Sequence, residues 1–132
     1  MELKDILITG IPEIDTQHEF FIKLIEKLDS LMKREYLPNE LDEIVIEISK
    51  YARKHFDTEE RYFKKFNYPK TEEHQLQHLK LINQVNKFYD GLLYSCINPK
   101  DLHSFLLEWT ETHLKKDDKK YVDYFNKIGA IK

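Results

Sequence analysis

The stretch from His55 to His78 constrains the fold more than any other part of the chain. It predicts two helices separated by a turn at Pro69, because proline disfavours helical geometry at the residue before it. The first helix carries His55 and Glu59, and the second carries His74 and His78. Residues four apart lie on the same face of an α-helix, so three imidazoles and a carboxylate project from adjacent helices. Metal sites inside helical bundles are built in this way.

A helical apolar period extends over nearly the whole chain, with apolar residues recurring at spacings of three and four. Gly10 and Pro12 indicate that residues 1–15 form an extended arm, with Asp15 as the N-cap of the first helix. A charged run predicts a break near 115–118. The predicted helices run over about 16–34, 40–66, 71–95 and 101–115, with a short helix over about 118–128. We therefore predict one all-α domain over residues 1–132, an up-down-up-down four-helix bundle.

Composition and charge limit the partners and the metal ligands. A net charge of −3 argues against nucleic-acid binding, which needs a clustered basic surface. The single cysteine, Cys96, cannot form an internal disulfide or a thiolate metal site, so nitrogen and oxygen atoms must bind any metal. The N-terminus does not resemble a signal peptide, and no run approaches the roughly 18 apolar residues of a membrane span. We expect a cytoplasmic, soluble monomer with no membrane span.

Histidines are concentrated on the predicted core stripes. Burying an imidazole without a partner costs on the order of 1 to 3 kcal/mol, and a shared metal centre would remove that cost. A single core histidine is usually hydrogen-bonded to a neighbour, but five at one level of a bundle favour a metal site. In an up-down-up-down bundle, five of the histidines are predicted to lie at the same level along the bundle axis: His18, His55, His74, His78 and His113. The sixth histidine, His103, is expected at the surface.

Two carboxylates are candidates to complete such a centre. Glu59 lies one turn after a core histidine and can reach the same centre, whereas we expect Glu60 to be an exposed helix glutamate. Near the C-terminus, Asp117 and Asp118 follow His113. Ideal helix geometry favours Asp117, about 40° from the line of His113, over Asp118 at about 140°. A helix break at this point would remove that preference, so both aspartates stay open.

These residues resemble the signatures of the hemerythrin family, and specifically of its single-domain bacterial members. The match covers nearly the whole chain. The segment Ile14-Asp15-Thr16-Gln17-His18 is similar to I-D-x-Q-H, the segment His55–Glu60 to H-F-x-x-E-E, and His74–His78 to H-x-x-x-H. The segment from Trp109 to Tyr121 is similar to W-x-x-x-H-x-x-x-x-D-x-x-Y.

The resemblance implies a non-haem di-iron centre with an oxo or hydroxo bridge. It assigns the last carboxylate to Asp118. One iron would be held by His74, His78 and His113, the other by His18 and His55, and Glu59 and Asp118 would bridge both. The iron with two histidines would keep a position open for reversible O2 binding. The implied roles are oxygen storage, sensing or delivery to an oxygen-consuming enzyme, and the protein itself would not be an enzyme.

An O2 pocket beside that open position would need apolar walls. We nominate Phe21, Phe56 and Trp109, which suit a plain hydrophobic core equally well. Thr110 stands where bacterial members often have leucine, and a hydroxyl facing the pocket would speed autoxidation. The alternative functions are a di-iron oxidase or peroxidase, or an iron-handling protein. Ferritin-like oxidases use E-x-x-H pairs, and none of the six histidines has a glutamate three residues before it.

Overall fold

A computed structural model of the protein describes residues 8–94 and 97–130, except for the side chains of residues 93 and 94. Cys96 and the last residue of the predicted third helix, residue 95, lie outside these ranges. The helices are α1 (Pro12–Met32), α2 (Pro38–Lys65), α3 (Thr71–Asp90), a 3-10 turn (Gly91–Tyr94), α4 (Pro99–Trp109), a π-helical segment (Thr110–Asp117) and α5 (Asp118–Lys127). The described part of the chain contains no strand, so the all-α prediction is confirmed. None of the described helices is long and apolar enough to cross a membrane.

Three of the helices begin at a proline. Pro12, Pro38 and Pro99 occupy the first turns of α1, α2 and α4, where a missing N–H costs nothing and a fixed φ suits the helix. The start of α4 is also capped by a side chain: Asn98 accepts a hydrogen bond from the backbone N–H of Lys100 at 2.9 Å. Local sequence therefore sets where these helices start.

The predicted extended arm over residues 1–15 is wrong in its last part. Helix α1 begins at Pro12, so Asp15 lies inside the first turn and is not the N-cap. Its carboxylate accepts hydrogen bonds from the backbone N–H and the hydroxyl of Thr9, both at 2.8 Å. Asp15 thus anchors the residues that lead into α1. An aspartate near a helix start is typical of an N-cap, which is why the sequence predicted one here. The part of the arm before residue 8 lies outside the described residues.

The predicted break near 115–118 is also wrong. The chain stays helical from Pro99 to Lys127, and the segment Thr110–Asp117 is π-helical. In a π-helix each N–H bonds to the carbonyl five residues before it, so residues five apart come to the same face. The lysines of this stretch are wholly or partly exposed while Asp118 is buried. The lysines of the charged run therefore continue the helix without entering the core, and Asp118 is the residue of the run that does.

The core consists of two groups of buried apolar residues. Helix α1 packs against α2 and α4, and α2 packs against α3. The large core cluster includes Phe21, Ile25, Leu28, Ile48, Tyr51, Phe56, Leu106 and Trp109. The small core cluster consists of Ile11, Ile14, Phe63, Tyr68, Tyr121, Val122 and Phe125. Each large apolar side chain buried in this way contributes roughly 1.5 to 3 kcal/mol, and a polar layer is enclosed between the two clusters.

Candidate metal centre

The structure brings all seven side chains predicted from the sequence into one buried layer. They are His18, His55, Glu59, His74, His78, His113 and Asp118, and each is at most 4% exposed. His18 and the α3 histidines lie near helix starts, whereas His55 lies in the second half of α2 and His113 in the π-helical segment, so they meet only because neighbouring helices run in opposite directions. His103 lies apart from them, partly exposed, with its Nε2 atom 3.8 Å from Asp29 Oδ1.

Glu59 lies at the middle of the layer with no solvent exposure. One carboxylate oxygen, Oε1, faces the Nε2 atoms of four histidines. The distances from Glu59 Oε1 are 3.0 Å to His78, 3.6 Å to His55, 3.8 Å to His74 and 3.8 Å to His113. Four imidazole nitrogens from three parts of the chain therefore converge on a single carboxylate oxygen.

Asp118 faces the same layer from the C-terminal part of the chain. Its Oδ1 atom lies 3.0 Å from Nε2 of His74 and 3.2 Å from Nε2 of His113, and its Oδ2 atom lies 3.7 Å from Nε2 of His18. Together with the contacts of Glu59, these distances mean that all five histidines direct Nε2 towards the two buried carboxylates.

The π-helical segment decides which aspartate joins this layer. Its i to i+5 spacing brings Asp118 onto the face of His113, in place of the i+4 residue that an ideal α-helix would favour. Asp117 instead lies behind the imidazole, with Oδ2 at 3.6 Å from Nδ1 of His113. The preference of ideal helix geometry for Asp117 is therefore wrong here. Asp117 contacts the outer side of a histidine whose inner side meets Asp118.

The seven residues form two overlapping groups. One group contains Glu59, His74, His78 and His113, and the other contains His18, His55, Glu59 and Asp118. Within each group the potential ligand atoms lie within 4.8 Å of one another. Glu59 belongs to both groups, so the layer offers two neighbouring cation positions with a shared carboxylate.

A hydrogen-bond chain from α1 orients the ring of His55. The Gln17 side-chain amide donates to the hydroxyl of Thr58 at 3.1 Å, and this hydroxyl donates to the Lys54 carbonyl at 2.9 Å. The amide oxygen of Gln17 must then face His55, where it lies 2.6 Å from Nδ1. Because Gln17 presents an acceptor, Nδ1 carries the proton and Nε2 of His55 keeps its lone pair for the centre.

A second outer contact orients His78, and it corrects an expectation about Glu60. This glutamate was expected to be an exposed helix residue, but its side chain is only 32% exposed. Its Oε2 atom lies 2.9 Å from Nδ1 of His78, and its Oε1 atom accepts from the Gln75 amide at 2.9 Å. A carboxylate behind an imidazole favours the tautomer with a free inner Nε2.

Tyr121 holds the other oxygen of the shared glutamate. Its hydroxyl donates to Glu59 Oε2 at 2.6 Å, and the ring is fully buried in the small core cluster. Burial and the neighbouring Glu59 and Asp118 carboxylates raise the pKa of Tyr121 well above its ordinary value. The hydroxyl therefore remains a donor, and it leaves Oε1 of Glu59 to face the histidines.

Apolar rings cover the layer on the side of the large core cluster. The three nominated wall residues, Phe21, Phe56 and Trp109, are all at most 3% exposed. The Phe56 ring stacks on His78 at 3.9 Å and lies 5.4 Å from Trp109, and Phe21 lies 4.7 Å from Trp109. Rings from α1, α2 and α4 thus separate the histidines from solvent on this side.

Two further residues lie on this side of the layer: one that the sequence analysis did not select, and one whose hydroxyl bonds to its own helix. Tyr51, absent from the predicted site, lies one helical turn before His55, with its ring parallel to the imidazole within 10° at 5.2 Å. The i−4 spacing is the signal that would have found it. Thr110 is fully buried, and its hydroxyl donates to the Leu106 carbonyl at 3.0 Å. An effect of this hydroxyl on autoxidation stays a prediction.

Burial and the close contacts between histidines and carboxylates shift the pKa values of several groups in the layer. Burial lowers the pKa of His55 to about 3, so this ring is neutral. Burial also acts to lower the pKa of His113, but Asp118 and the neighbouring carboxylates outweigh it and raise the value to about 10. Burial alone would raise the pKa of Glu59, yet the surrounding histidines hold it well below its ordinary value. Burial and the nearby charge of Glu59 raise the pKa of Asp118.

The layer passes two tests as a metal site. First, several buried polar atoms have no hydrogen-bond partner among the residues that the structure describes: Nε2 of His55, His74 and His113, and both carboxylate oxygens of Asp118. Unsatisfied buried groups are costly, and cations between these atoms would satisfy them. Second, five imidazoles with two carboxylates suit iron and related transition metals better than magnesium or calcium, which prefer oxygen ligands.

The fold and the site define a helical-bundle protein with a candidate metal centre. The family model described as "Hemerythrin HHE cation binding domain" matches residues 9–125. The chain therefore belongs to the hemerythrin family, as the sequence signatures predicted.

Curated relatives agree with this placement. The chain is 30% identical over 129 residues to a bacteriohemerythrin of Clostridium acetobutylicum, and the alignment covers 91% of this chain and 97% of the relative. It is 28% identical over 121 residues to a bacteriohemerythrin of Pseudomonas aeruginosa, covering 91% of this chain and 78% of the relative. A bacteriohemerythrin of Campylobacter jejuni is 24% identical over 113 residues, with 85% of each chain covered.

Proposed function

We propose that this protein binds O2 reversibly at a non-haem di-iron centre. The observation that carries the proposal is the pair of overlapping ligand groups that share Glu59. Two cation positions joined by a carboxylate suit a centre that gives up two electrons together, because each metal needs to supply only one. Two iron ions held in this way would supply the redox chemistry of reversible O2 binding.

The proposed ligands are unequally divided between the two positions. His74, His78 and His113 would hold one iron, and His18 and His55 the other, with Glu59 and Asp118 shared. The second iron therefore has one protein ligand fewer, which leaves room for a small molecule. A site with two histidines, carboxylates and an open position is typical of iron that meets O2.

The surrounding residues prepare these ligands to bind. Gln17 and Glu60 each accept a hydrogen bond from the outer nitrogen of a histidine, so His55 and His78 present Nε2 lone pairs without having to lose a proton. Tyr121 fixes the orientation of Glu59. Such fixed geometry lowers the entropy that metal binding would otherwise cost.

The apolar rings keep water and protons away from the open position. Phe21, Phe56 and Trp109 form an apolar wall in which the Phe56 ring lies 6.0 Å from the His55 ring and stacks on the His78 ring at 3.9 Å. Exclusion of water favours release of the gas unchanged over irreversible oxidation of the iron. This property favours a protein that stores, senses or carries O2, or delivers it to an oxygen-consuming enzyme, over a catalyst. We propose that it acts in the cytoplasm.

Metal analysis and absorption spectroscopy of the purified protein test the proposal. We expect two irons per chain and a charge-transfer band that appears on exposure to O2 and disappears when O2 is removed. A chain with one zinc, or with iron that oxidises irreversibly while turning over a substrate or peroxide, would contradict it. The latter result would support the oxidase or peroxidase alternative, and release of iron without O2 binding would support an iron-handling role.

A further inference from the structure

Two buried tyrosines approach the metal-ligand layer from opposite core clusters, and among the described residues only one of their hydroxyls has an acceptor. The Tyr121 hydroxyl, on the side of the small core cluster, donates to Glu59 at 2.6 Å. The Tyr51 hydroxyl, on the side of the large core cluster, is enclosed and has no hydrogen-bond partner within residues 8–94 and 97–130. Buried hydroxyls are normally paired, because an unpaired one costs stability. The Tyr51 hydroxyl is therefore a buried donor that a ligand could satisfy.

The backbone places Tyr51 on the same face as the proposed ligands of α2. Tyr51, His55 and Glu59 are spaced by four residues and therefore follow one another along the helix. The Tyr51 ring is held between two parallel neighbours, His55 at 5.2 Å and Phe21 at 5.0 Å, with interplanar angles of 10° and 14°. Trp109 lies 6.2 Å away on a third helix. The ring has little freedom to turn its hydroxyl elsewhere.

Burial is the main reason that this hydroxyl stays protonated. Burial, then the carboxylates of Glu59 and Asp118, raise the pKa of Tyr51 well above its ordinary value. Both carboxylates thus act on the hydroxyl electrostatically, yet neither accepts its proton within hydrogen-bond distance. A neutral donor beside the open position would favour a ligand that carries partial or full negative charge.

We propose that the Tyr51 hydroxyl donates a hydrogen bond to the small ligand, either O2 or a small anion, that occupies the open position beside His18 and His55. This inference rests on the proposed function, because it assumes an iron with an open position there. Tyr51 acts as a ligand-selecting residue. Its hydrogen bond would strengthen the binding of ligands that carry or gain negative charge on the iron. Neutral ligands that gain no charge would benefit less.

Azide titration of the oxidised, iron-loaded protein tests the inference, with Tyr51→Phe compared with the unmodified chain. A hydrogen bond to a charged acceptor is a strong one, so its loss should weaken azide binding about tenfold or more. Tyr68→Phe is the matched control, since it removes the hydroxyl of another buried tyrosine in the small core cluster. The control should bind azide as the unmodified protein does.

Two further readouts separate a hydrogen bond from a structural effect. The azide stretching frequency should shift on exchange into D2O in the unmodified protein and in Tyr68→Phe, and this shift should be lost in Tyr51→Phe. The ligand-free, iron-loaded Tyr51→Phe protein should melt at the same temperature as the unmodified protein or higher, because it loses an unpaired hydroxyl. A lower melting temperature would mean that the hydroxyl has an internal partner, such as a bound water, and would overturn the inference.

The outcomes also distinguish this inference from the proposed function. Equal azide and O2 binding by Tyr51→Phe and the unmodified protein would overturn the role of Tyr51 and leave O2 binding intact. Azide binding that depends on Tyr51, in a protein that does not bind O2 reversibly, would support the donor and overturn the proposed function. A protein that binds neither ligand would overturn both.

Discussion

The side-chain oxygen of Gln17 lies 2.6 Å from Nδ1 of His55 and joins α1 to α2 directly behind a proposed metal ligand. We predict that Gln17→Leu lowers iron affinity at the His18 and His55 position by about 10- to 100-fold, the usual effect of removing such an outer contact. The rate of iron loss to a chelator measures this. The exposed Gln84 provides a control, Gln84→Leu, and equal rates in the two variants would contradict the prediction.

Tyr121 should contribute more to stability than a tyrosine with a neutral acceptor. Its hydroxyl donates to the buried Glu59 carboxylate, whereas Tyr124 on the same helix donates to the backbone carbonyls of Phe66 and Asn67. We expect Tyr121→Phe to lower the free energy of unfolding by about 1.5 to 3 kcal/mol and Tyr124→Phe by about 1 kcal/mol. Denaturant unfolding of the iron-loaded proteins gives both values, and a smaller loss for Tyr121→Phe than for Tyr124→Phe would refute the expected order.

The two neighbouring aspartates should behave differently when each is changed to asparagine. Asp118 faces the metal layer, so Asp118→Asn should purify with fewer than two irons per chain. Asp117 lies behind His113 at 3.6 Å, so Asp117→Asn should bind two irons and release them faster. Iron analysis with a chelator time course distinguishes these results. Full iron content in Asp118→Asn would remove this residue from the ligand set.

Acidification should remove iron and stability together. Ligand histidines must be neutral, so protons compete with iron as the pH falls. Metal bound only by the folded chain stabilises it, and this contribution is present at neutral pH and lost at acid pH. We expect iron content and melting temperature to fall together as the pH is lowered below 7. Loss of iron at constant melting temperature would contradict the coupling.

Removal of the Thr110 hydroxyl should slow autoxidation. Thr110→Val keeps the side-chain shape and removes a polar group from a fully buried position, which should make entry of water less favourable. The decay rate of the O2-bound spectrum measures this. Thr112→Val, at an exposed position, is the control, and unchanged decay in Thr110→Val would remove the hypothesis.

The sequence determined the helical class and the convergence of the histidines. Spacings of three and four fix which face of a helix is buried, and this is a local property that needs no knowledge of distant residues. The positions of His18, His55, His74 and His113 near the starts and ends of the predicted helices then indicated one level. The prolines at helix starts were local signals of the same kind.

The tertiary structure decided the features that depend on contacts between distant parts of the chain. The π-helical segment places Asp118 next to His74 and His113. Helical periodicity favoured Asp117, because it assumes an ideal α-helix, and only the resemblance to the family signature indicated Asp118. Glu60 joins the site only because α3 brings His78 beside it. The lack of an acceptor for the Tyr51 hydroxyl, among the described residues, also depends on how the surrounding helices pack.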